Sequence, residues 1–314
     1  MTKSALPSAE IRVPGSTSNL GPGFDCFGLA LNLYLTVRAT AVADATELCR
    51  VTTTGAKENE VLPRNASNLI YRAMTFTARR EGLSLPPVEL EAHNEIPLAS
   101  GLGSSAAAIV AGIKLCALIT GHEIAESTIQ NYATEFEGHP DNVNASILGG
   151  FVISCVKSDR TVVSTKFNWP SHIRVLVVSP HSQLPTHVAR AALARTVTRA
   201  NAVHNLQRTA LFTAAIAHQR YDLLWEAMHD QLHQPQRESL VPGLAEALAL
   251  PRMPGLLGVA LSGAGPSILA LVEGNEDEIG ARIASCFRFH KIESTTRTLE
   301  VDNHGPSEKH DLLQ

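Results

Sequence analysis

The chain lacks what a disulfide scaffold, a nucleic-acid binder or a membrane protein would need. Only five cysteines, Cys26, Cys49, Cys116, Cys155 and Cys286, occur in 314 residues, odd in number and never in Cys-x-x-Cys spacing. That argues against a disulfide framework and a thiolate zinc site, and points to the cytoplasm. A basic excess is missing too: 26 Lys and Arg face 30 Asp and Glu, a formal charge of −4. Nucleic-acid and anionic-membrane binding are therefore excluded as expectations, since both draw on positive charge. Met1 to Glu10 holds no apolar stretch of signal-peptide type. The uncharged run Met253 to Val272 is long enough to span a bilayer. Its middle, Ser262-Gly263-Ala264-Gly265-Pro266-Ser267, would leave backbone groups unpaired in lipid and reads as strand, loop, strand. G-x-x-x-x-G-K-[S/T], G-x-S-x-G and H-E-x-x-H are absent, which removes the P-loop and the common hydrolase readings.

What is present is apolar material for a sizeable core, 44% hydrophobic against 18% charged, over a length that favours about two domains. Leu29 to Val42 reads as a strand region and Val88 to Ala92 alternates like one. Asn65 to Arg80 has helical spacing, with Leu69, Ala73 and Phe76 on one face and Ser67 as N-cap. An alanine-rich helix runs from about Ser105 to Thr120 and stops at Gly121, and another from about Glu123 to Glu137 leads into Gly138-His139-Pro140. A composition change at Trp169-Pro170 divides residues 1–169 from 170–301, and the polar stretch 302–314 is expected to be a flexible tail. Past the boundary the order is strand (Arg174 to Ser179), helices (Thr186 to His233), strands (Gly258 to Leu261, Ser267 to Val272), helix (Glu276 to Phe287) and strand (Lys291 to Val301). That is the order of a ferredoxin-like split unit. The first half lacks regular βα alternation, so the class is α+β.

The most informative stretch is Pro97-Leu98-Ala99-Ser100-Gly101-Leu102-Gly103-Ser104-Ser105-Ala106-Ala107. Two glycines let the backbone approach an anion at positive φ. Ser104 and Ser105 open a helix whose free N–H groups and dipole attract phosphate. A plain Ser-capped helix entry is the simpler reading, but two glycines interleaved with two serines favour phosphate binding. Gly101 to Ala106 formally fits the dinucleotide pattern G-x-G-x-x-G/A. It lacks the preceding buried strand and the acidic residue closing a second strand, so that reading is rejected.

P-x-x-x-G-L-G-S-S-A-A resembles the phosphate-binding signature of the GHMP kinases. Val13-Pro14-Gly15-Ser16-Thr17-Ser18-Asn19-Leu20-Gly21-Pro22-Gly23-Phe24-Asp25, Glu137-Gly138-His139-Pro140-Asp141-Asn142-Val143 and Leu261-Ser262-Gly263-Ala264-Gly265-Pro266-Ser267 are similar to the three other motifs of the homoserine-phosphorylating branch. With Thr186, Arg190 and Arg237, the resemblance runs from Ile11 to about Glu300. Gly15 and Ser18 stand where the family more often has alanine, and Asn144 and Ser146 replace small apolar residues.

The resemblance implies a two-domain GHMP kinase architecture, with an N-terminal domain like the second domain of ribosomal protein S5 and a ferredoxin-like C-terminal domain. The implied reaction moves the γ-phosphoryl group of ATP, with Mg²⁺, to L-homoserine, giving O-phospho-L-homoserine for threonine synthesis from aspartate. The implied ATP site comprises Asn68 and the run Pro97, Leu98, Ala99, Ser100, Gly101, Leu102, Gly103, Ser104, Ser105, Ala106 and Ala107. Ser105 and Glu137 are the implied metal ligands, a hydroxyl and one carboxylate suiting Mg²⁺. For the acceptor, Asp25 takes the ammonium with Asn19 beside it, and Arg190 and Arg237 take the carboxylate through the planar guanidinium fork. His139, Asn142 and Thr186 hold the hydroxyl end, Asn142 and Thr186 as the catalytic pair. Asp141 is either a base or the N-cap of a helix starting at Asn142, and the cap is preferred. A homodimer is implied as well.

Two rivals remain, beside the dinucleotide-binding reading already rejected. A mevalonate-type or sugar kinase of the same family would leave Asp25 and Asn19 unexplained. A non-catalytic ligand sensor would be expected to have lost Ser105 and Glu137. A dinucleotide-dependent oxidoreductase would bind NAD(H) rather than be protected by ATP.

Overall fold

The computed structural model describes residues 7–43, 46–55 and 61–311. Most of the N-terminal segment Met1 to Glu10 and the last three residues lie outside the described residues.

The first lobe is built on a sheet of β1 (Ser8–Asn19), β2 (Gly23–Ala41), β3 (Cys49–Gly55), β4 (Val88–Asn94), β5 (Phe151–Val156), β6 (Val162–Phe167) and a C-terminal strand, Ser307–Asp311. β3 and β4 pair in parallel and are linked through helix α1 (Leu69–Glu81); the other pairings are antiparallel. In β4, Val88, Leu90 and Ala92 are buried while Glu89, Glu91 and His93 are exposed, so this part of the sheet has one dry face. On the dry side pack α1, α2 (Ser104–Thr120), α3 (Glu126–Glu137) and α4 (Asp141–Leu148). Helix α2 is the central one. Ten of its residues are buried, and Gly112 lets α1 come so close that an added Cβ would lie 2.3 Å from the Ile70 carbonyl oxygen.

The second lobe is an antiparallel sheet of β7 (Arg174–Pro180), β8 (Leu256–Leu261), β9 (Ile268–Val272) and β10 (Ser294–Leu299) in the order β10-β7-β9-β8. That order is the ferredoxin-like arrangement expected from the strand and helix sequence. Between β7 and β8 the chain inserts α5 (Thr186–Ala191), α6 (Arg199–Ala217), α7 (Leu224–Ala227), α8 (Gln234–Arg237) and α9 (Leu244–Leu248); α10 (Glu276–Phe289) precedes β10. Phe27, Phe151 and Phe212 meet with ring centroids 5.0 to 5.3 Å apart, joining the lobes through one aromatic core.

The stretch from Asp302 is not a loose tail. The final strand, β11 (Ser307–Asp311), pairs antiparallel with β1 from Ser8 to Arg12. Asn303 accepts from the Trp169 N–H at 2.8 Å and donates to the Trp169 carbonyl at 3.0 Å. An edge strand's free N–H and C=O groups attract any extended segment, whatever its side chains, so composition gave no sign of this strand. Local boundaries shift too. Asn68, not Ser67, caps α1, because its carbonyl oxygen accepts from Ile70 N–H while the Ser67 hydroxyl donates to Asn65. Helix α3 begins at Glu126 rather than Glu123, and the last strand of the second lobe is confined to Ser294–Leu299.

Candidate active site

The two lobes face each other across a cleft whose floor is the loop ahead of α2. Gly101 (φ 79°) and Gly103 (φ 75°) are both left-handed. Gly103 stands at the N-cap of α2 without a side-chain cap, and no acidic residue occupies the first turn. The opening N–H groups of this long helix therefore have no side-chain acceptor of their own and present a positive end to the cleft. The loop is held from several sides. Ser16 N–H donates to the Leu102 carbonyl at 3.1 Å, Leu184 N–H to Ala99 at 3.2 Å, and Ser262 Oγ to Gly101 at 2.7 Å. Ser100 spends its hydroxyl on the Pro97 carbonyl, while Leu102, Ala106 and Ala107 are buried in the core. Those residues thus shape the loop rather than offer side chains to a ligand.

On one side of the loop lies a cavity of 410 Å³, largely apolar, lined by Leu35, Leu62, Leu69, Leu98 and Ala108 among others. It shares Ala99, Ser104 and Ser105 with the cleft, so a ligand could run from one to the other past the α2 N-terminus. Asn68 lines this cavity, yet its amide is committed: it donates to the Pro63 carbonyl at 2.8 Å as well as capping α1. Thr53 offers the better polar contact there, since its buried hydroxyl has no hydrogen-bond partner among the described residues.

Glu137 ends α3, where Gly138 (φ 93°) turns the chain toward His139. Ser105 Oγ donates to Glu137 Oε2 at 2.9 Å, bringing the two expected metal ligands together beside the loop. A hydroxyl and one carboxylate next to a phosphate cradle suit Mg²⁺, which keeps several waters and bridges phosphate oxygens. Asp25, His139 and Asp141 also bring ligand atoms within 4.8 Å of one another. Asp25 is already paired with Arg190 and Asp141 with His139, so we read that trio as a polar network.

Asp141 is not the N-cap of a helix at Asn142. It is the first residue of α4, nearly fully buried, and accepts from His139 Nδ1 at 2.6 Å and from the Asn142 N–H at 2.7 Å. Burial alone would raise its pKa, but the imidazole's hydrogen bond and charge outweigh it and hold Asp141 below its ordinary value. Burial likewise pulls His139 down, and Asp141 more than compensates, raising it. Neighbouring Asn142 accepts from Ser16 Oγ at 3.1 Å and donates to Ser18 Oγ at 2.8 Å, which fixes its orientation at the cleft.

Where the end of β1 turns into the start of β2, three non-glycine residues have positive φ: Asn19, Leu20 and Asp25. Asn19 spends both ends of its amide, accepting from the Asp25 N–H at 3.1 Å and donating to the Gly263 carbonyl at 3.0 Å. Asp25 and Arg190, expected to receive opposite ends of one ligand, pair with each other in a bidentate contact of 2.6 and 3.2 Å. Arg237 lines the cleft from below, 1% exposed, while Thr186 stands exposed at the start of α5. Every acceptor-site residue named from the sequence, Asn19, Asp25, His139, Asn142, Thr186, Arg190 and Arg237, lines this one cleft. Ser16, His233 and the role of Ser18 were missed: Ser16 and Ser18 meet Asn142 more than a hundred residues on, and His233 joins its near neighbour Arg237 to Gly21, 212 residues away.

Residues 68–150 match the GHMP kinases N terminal domain and residues 212–288 the GHMP kinases C terminal domain. A homoserine kinase of Solibacter usitatus is 40% identical over 295 residues, covering 94% of this chain and 95% of that protein. A homoserine kinase of Deinococcus radiodurans is 44% identical over 259 residues, 82% of each. Among solved structures, a homoserine kinase from Cytophaga hutchinsonii superposes with a TM-score of 0.84 at 27% identity, covering 98% of this chain and 99% of that one. Mevalonate diphosphate decarboxylase from Staphylococcus aureus, at 19% identity and a TM-score of 0.65 over 96% of this chain and 98% of that one, shares the fold.

Proposed function

The chain belongs to the GHMP kinase family, among its homoserine kinases, and from that premise we propose that its cleft transfers the γ-phosphoryl group of ATP to the hydroxyl of L-homoserine. The carrying observation is one arrangement: an uncapped helix N-terminus between a base-sized apolar cavity and a cleft bearing a carboxylate and two guanidinium groups. The adenine would occupy the cavity beside Thr53, and the triphosphate would follow the N–H groups of Gly101 to Ala106. Ser105 and Glu137 would hold Mg²⁺, which supplies neutralisation of the phosphate charge.

The acceptor is a small zwitterion. Asp25 offers its carboxylate to the ammonium, and Arg190 and Arg237 offer donors to the carboxylate. Asn142, held by Ser16 and Ser18, orients the hydroxyl, with His139 and Thr186 beside it. The hydroxyl oxygen bonds to the γ-phosphorus as the bond to the bridging β–γ oxygen breaks; ADP leaves, and the hydroxyl proton passes to a phosphoryl oxygen. Such a loose transition state needs alignment and charge stabilisation more than a strong base. The product, O-phospho-L-homoserine, belongs to threonine synthesis. A mevalonate-type acceptor fits less well, because it would leave Asp25 without an ammonium partner.

Free cysteines, four of them at least partly buried, accord with a reducing cytoplasm, and among the described residues no helix is long and apolar enough to cross a membrane. A homodimer remains part of this reading, to be tested by sedimentation. The function is tested by ADP release with homoserine, mevalonate, serine, threonine and galactose as acceptors. Turnover with homoserine far above the others is expected; turnover with mevalonate alone would overturn the reading.

A further inference from the structure

Arg237 is the bulkiest of the fully buried side chains, and a guanidinium can only donate hydrogen bonds. Its Nε donates to the Ala189 carbonyl at 3.2 Å; its Nη1 donates to the Gly263 carbonyl at 3.2 Å and to His233 Nδ1 at 3.0 Å. None of these three acceptors is an anion, and among the described residues Arg237 forms no ion pair. A positive charge taken out of water thus donates its hydrogen bonds to neutral groups, while Asp25, Asp230 and Asp141 act on it only through space, so its fork is not tied up by a carboxylate.

His233 determines that outcome. Because Arg237 cannot accept, Nδ1 must be the unprotonated nitrogen, so the proton sits on Nε2 and is donated to the Gly21 carbonyl at 2.8 Å. The imidazole is fully buried and packs 5.3 Å from the ring of Phe24. Burial, and then the charge of Arg237, keep it unprotonated against the opposing pull of Asp230. Asp230 itself receives the backbone N–H groups of Leu232, His233 and Gln234, fixing the start of α8 and therefore the spacing from His233 to Arg237.

We infer that His233 is a positioning residue for acceptor binding: as a neutral Nε2–H imidazole it bridges Arg237 to the Gly21 turn and aims the guanidinium at the acceptor's carboxylate. The same bridge links Arg237 to the turn that carries Asp25, keeping the two charged ends of the acceptor site at a fixed separation. This inference rests on Arg237 binding that carboxylate, as proposed above.

The test compares His233→Phe, which keeps an aromatic ring against Phe24 but removes both hydrogen bonds, with His233→Gln, whose amide can accept from Arg237 and donate to Gly21. His233→Phe is expected to raise the homoserine KM on the order of 10- to 100-fold, the range for losing a hydrogen bond to a charged group. The ATP KM and the kcat at saturating homoserine should stay within about threefold, and His233→Gln should recover most of the lost affinity. Should His233→Phe fail to fold, His233→Asn, too short to span both partners, is read in the same way. An unchanged homoserine KM in the folded variant overturns the inference, and so does an equal loss of kcat and of both substrate affinities without rescue by glutamine. Arg237→Gln is measured in parallel. If it leaves the homoserine KM unaltered, the carboxylate assignment itself is wrong; if it raises that KM while the His233 variants do not, only the role of His233 falls.

Discussion

Ser105 Oγ donates a 2.9 Å hydrogen bond to Glu137 Oε2, tying the first turn of α2 to the last residue of α3. The contact places a carboxylate beside a helix N-terminus that has none of its own. Glu137→Gln keeps the size and the ability to accept from Ser105 but removes the charge. The expected outcome is a fall in kcat on the order of 10²-fold at saturating ATP and homoserine, with a raised requirement for Mg²⁺. A magnesium titration of turnover checks this; a wild-type curve would remove Glu137 from the metal site.

Arg190 and Asp25 are each about one third exposed, at 34% for both side chains. Their pairing therefore contributes little stability, about 1 kcal/mol or less. Arg190→Ala should leave the thermal midpoint nearly unmoved while strongly raising the homoserine KM and sparing ATP affinity. Arg190→Lys should rescue poorly, since an ammonium cannot meet two carboxylate oxygens as the planar fork does. Calorimetry alongside steady-state kinetics separates the two effects.

Gly101 and Gly82 share a left-handed backbone, yet substitution should affect them differently. A Cβ on Gly82 meets nothing within 4 Å, so Gly82→Ala should cost only the strain of its φ, about 1 kcal/mol. On Gly101 it would lie 2.1 Å from the Ser262 carbonyl oxygen, a backbone atom that cannot swing away. Gly101→Ala should displace the second lobe's glycine loop and abolish protection by ATP against thermal unfolding. Retained protection would show that the phosphates bind elsewhere.

Asn303 satisfies both backbone groups of Trp169, a residue only 3% exposed. Asn303→Ala should destabilise the fold by about 1–3 kcal/mol, the range for stranding buried polar groups, and leave kcat unchanged. Urea denaturation measures it. No loss of stability would return the segment after Asp302 to the status of a dispensable tail.

His233 has its pKa lowered in the folded chain, first by burial, from an ordinary value of 6.5. Below about that pH the unfolded chain binds a proton that the folded chain refuses, so stability falls as pH decreases toward the depressed value. His233→Gln should therefore flatten the fall in stability below the ordinary imidazole value of 6.5 relative to the parent chain. Denaturation midpoints on either side of that value test the sign, and identical profiles would contradict it.

Much of the site could be read locally. The glycines at 101 and 103, the alanine-rich helix behind them and its stop at Gly121 follow from backbone preferences that act over a few residues. The strand and helix order of the second lobe follows from hydrophobic periodicity in the same way. Family resemblance carried the choice of Glu137, Arg190 and Arg237 as site residues and of Ser105 as a metal ligand, because nothing in the immediate surroundings of the first three distinguishes them from surface glutamates and arginines.

The amino-acid order alone thus pointed to a helix start suited to an anion and to the strand and helix order of a ferredoxin-like second lobe, and family resemblance added the expectation of an amino-acid acceptor site. Only the folded arrangement decided that Asp25 and Arg190, 165 residues apart, engage each other, that Asp141 serves His139 instead of capping a helix, and that polar residues 307–311 complete a sheet. The division has a physical cause. Helix starts, turns and caps are set by torsional preferences and hydrogen bonds a few residues long, whereas ion-pair partners and edge-strand pairing depend on which distant surfaces the packed core brings together.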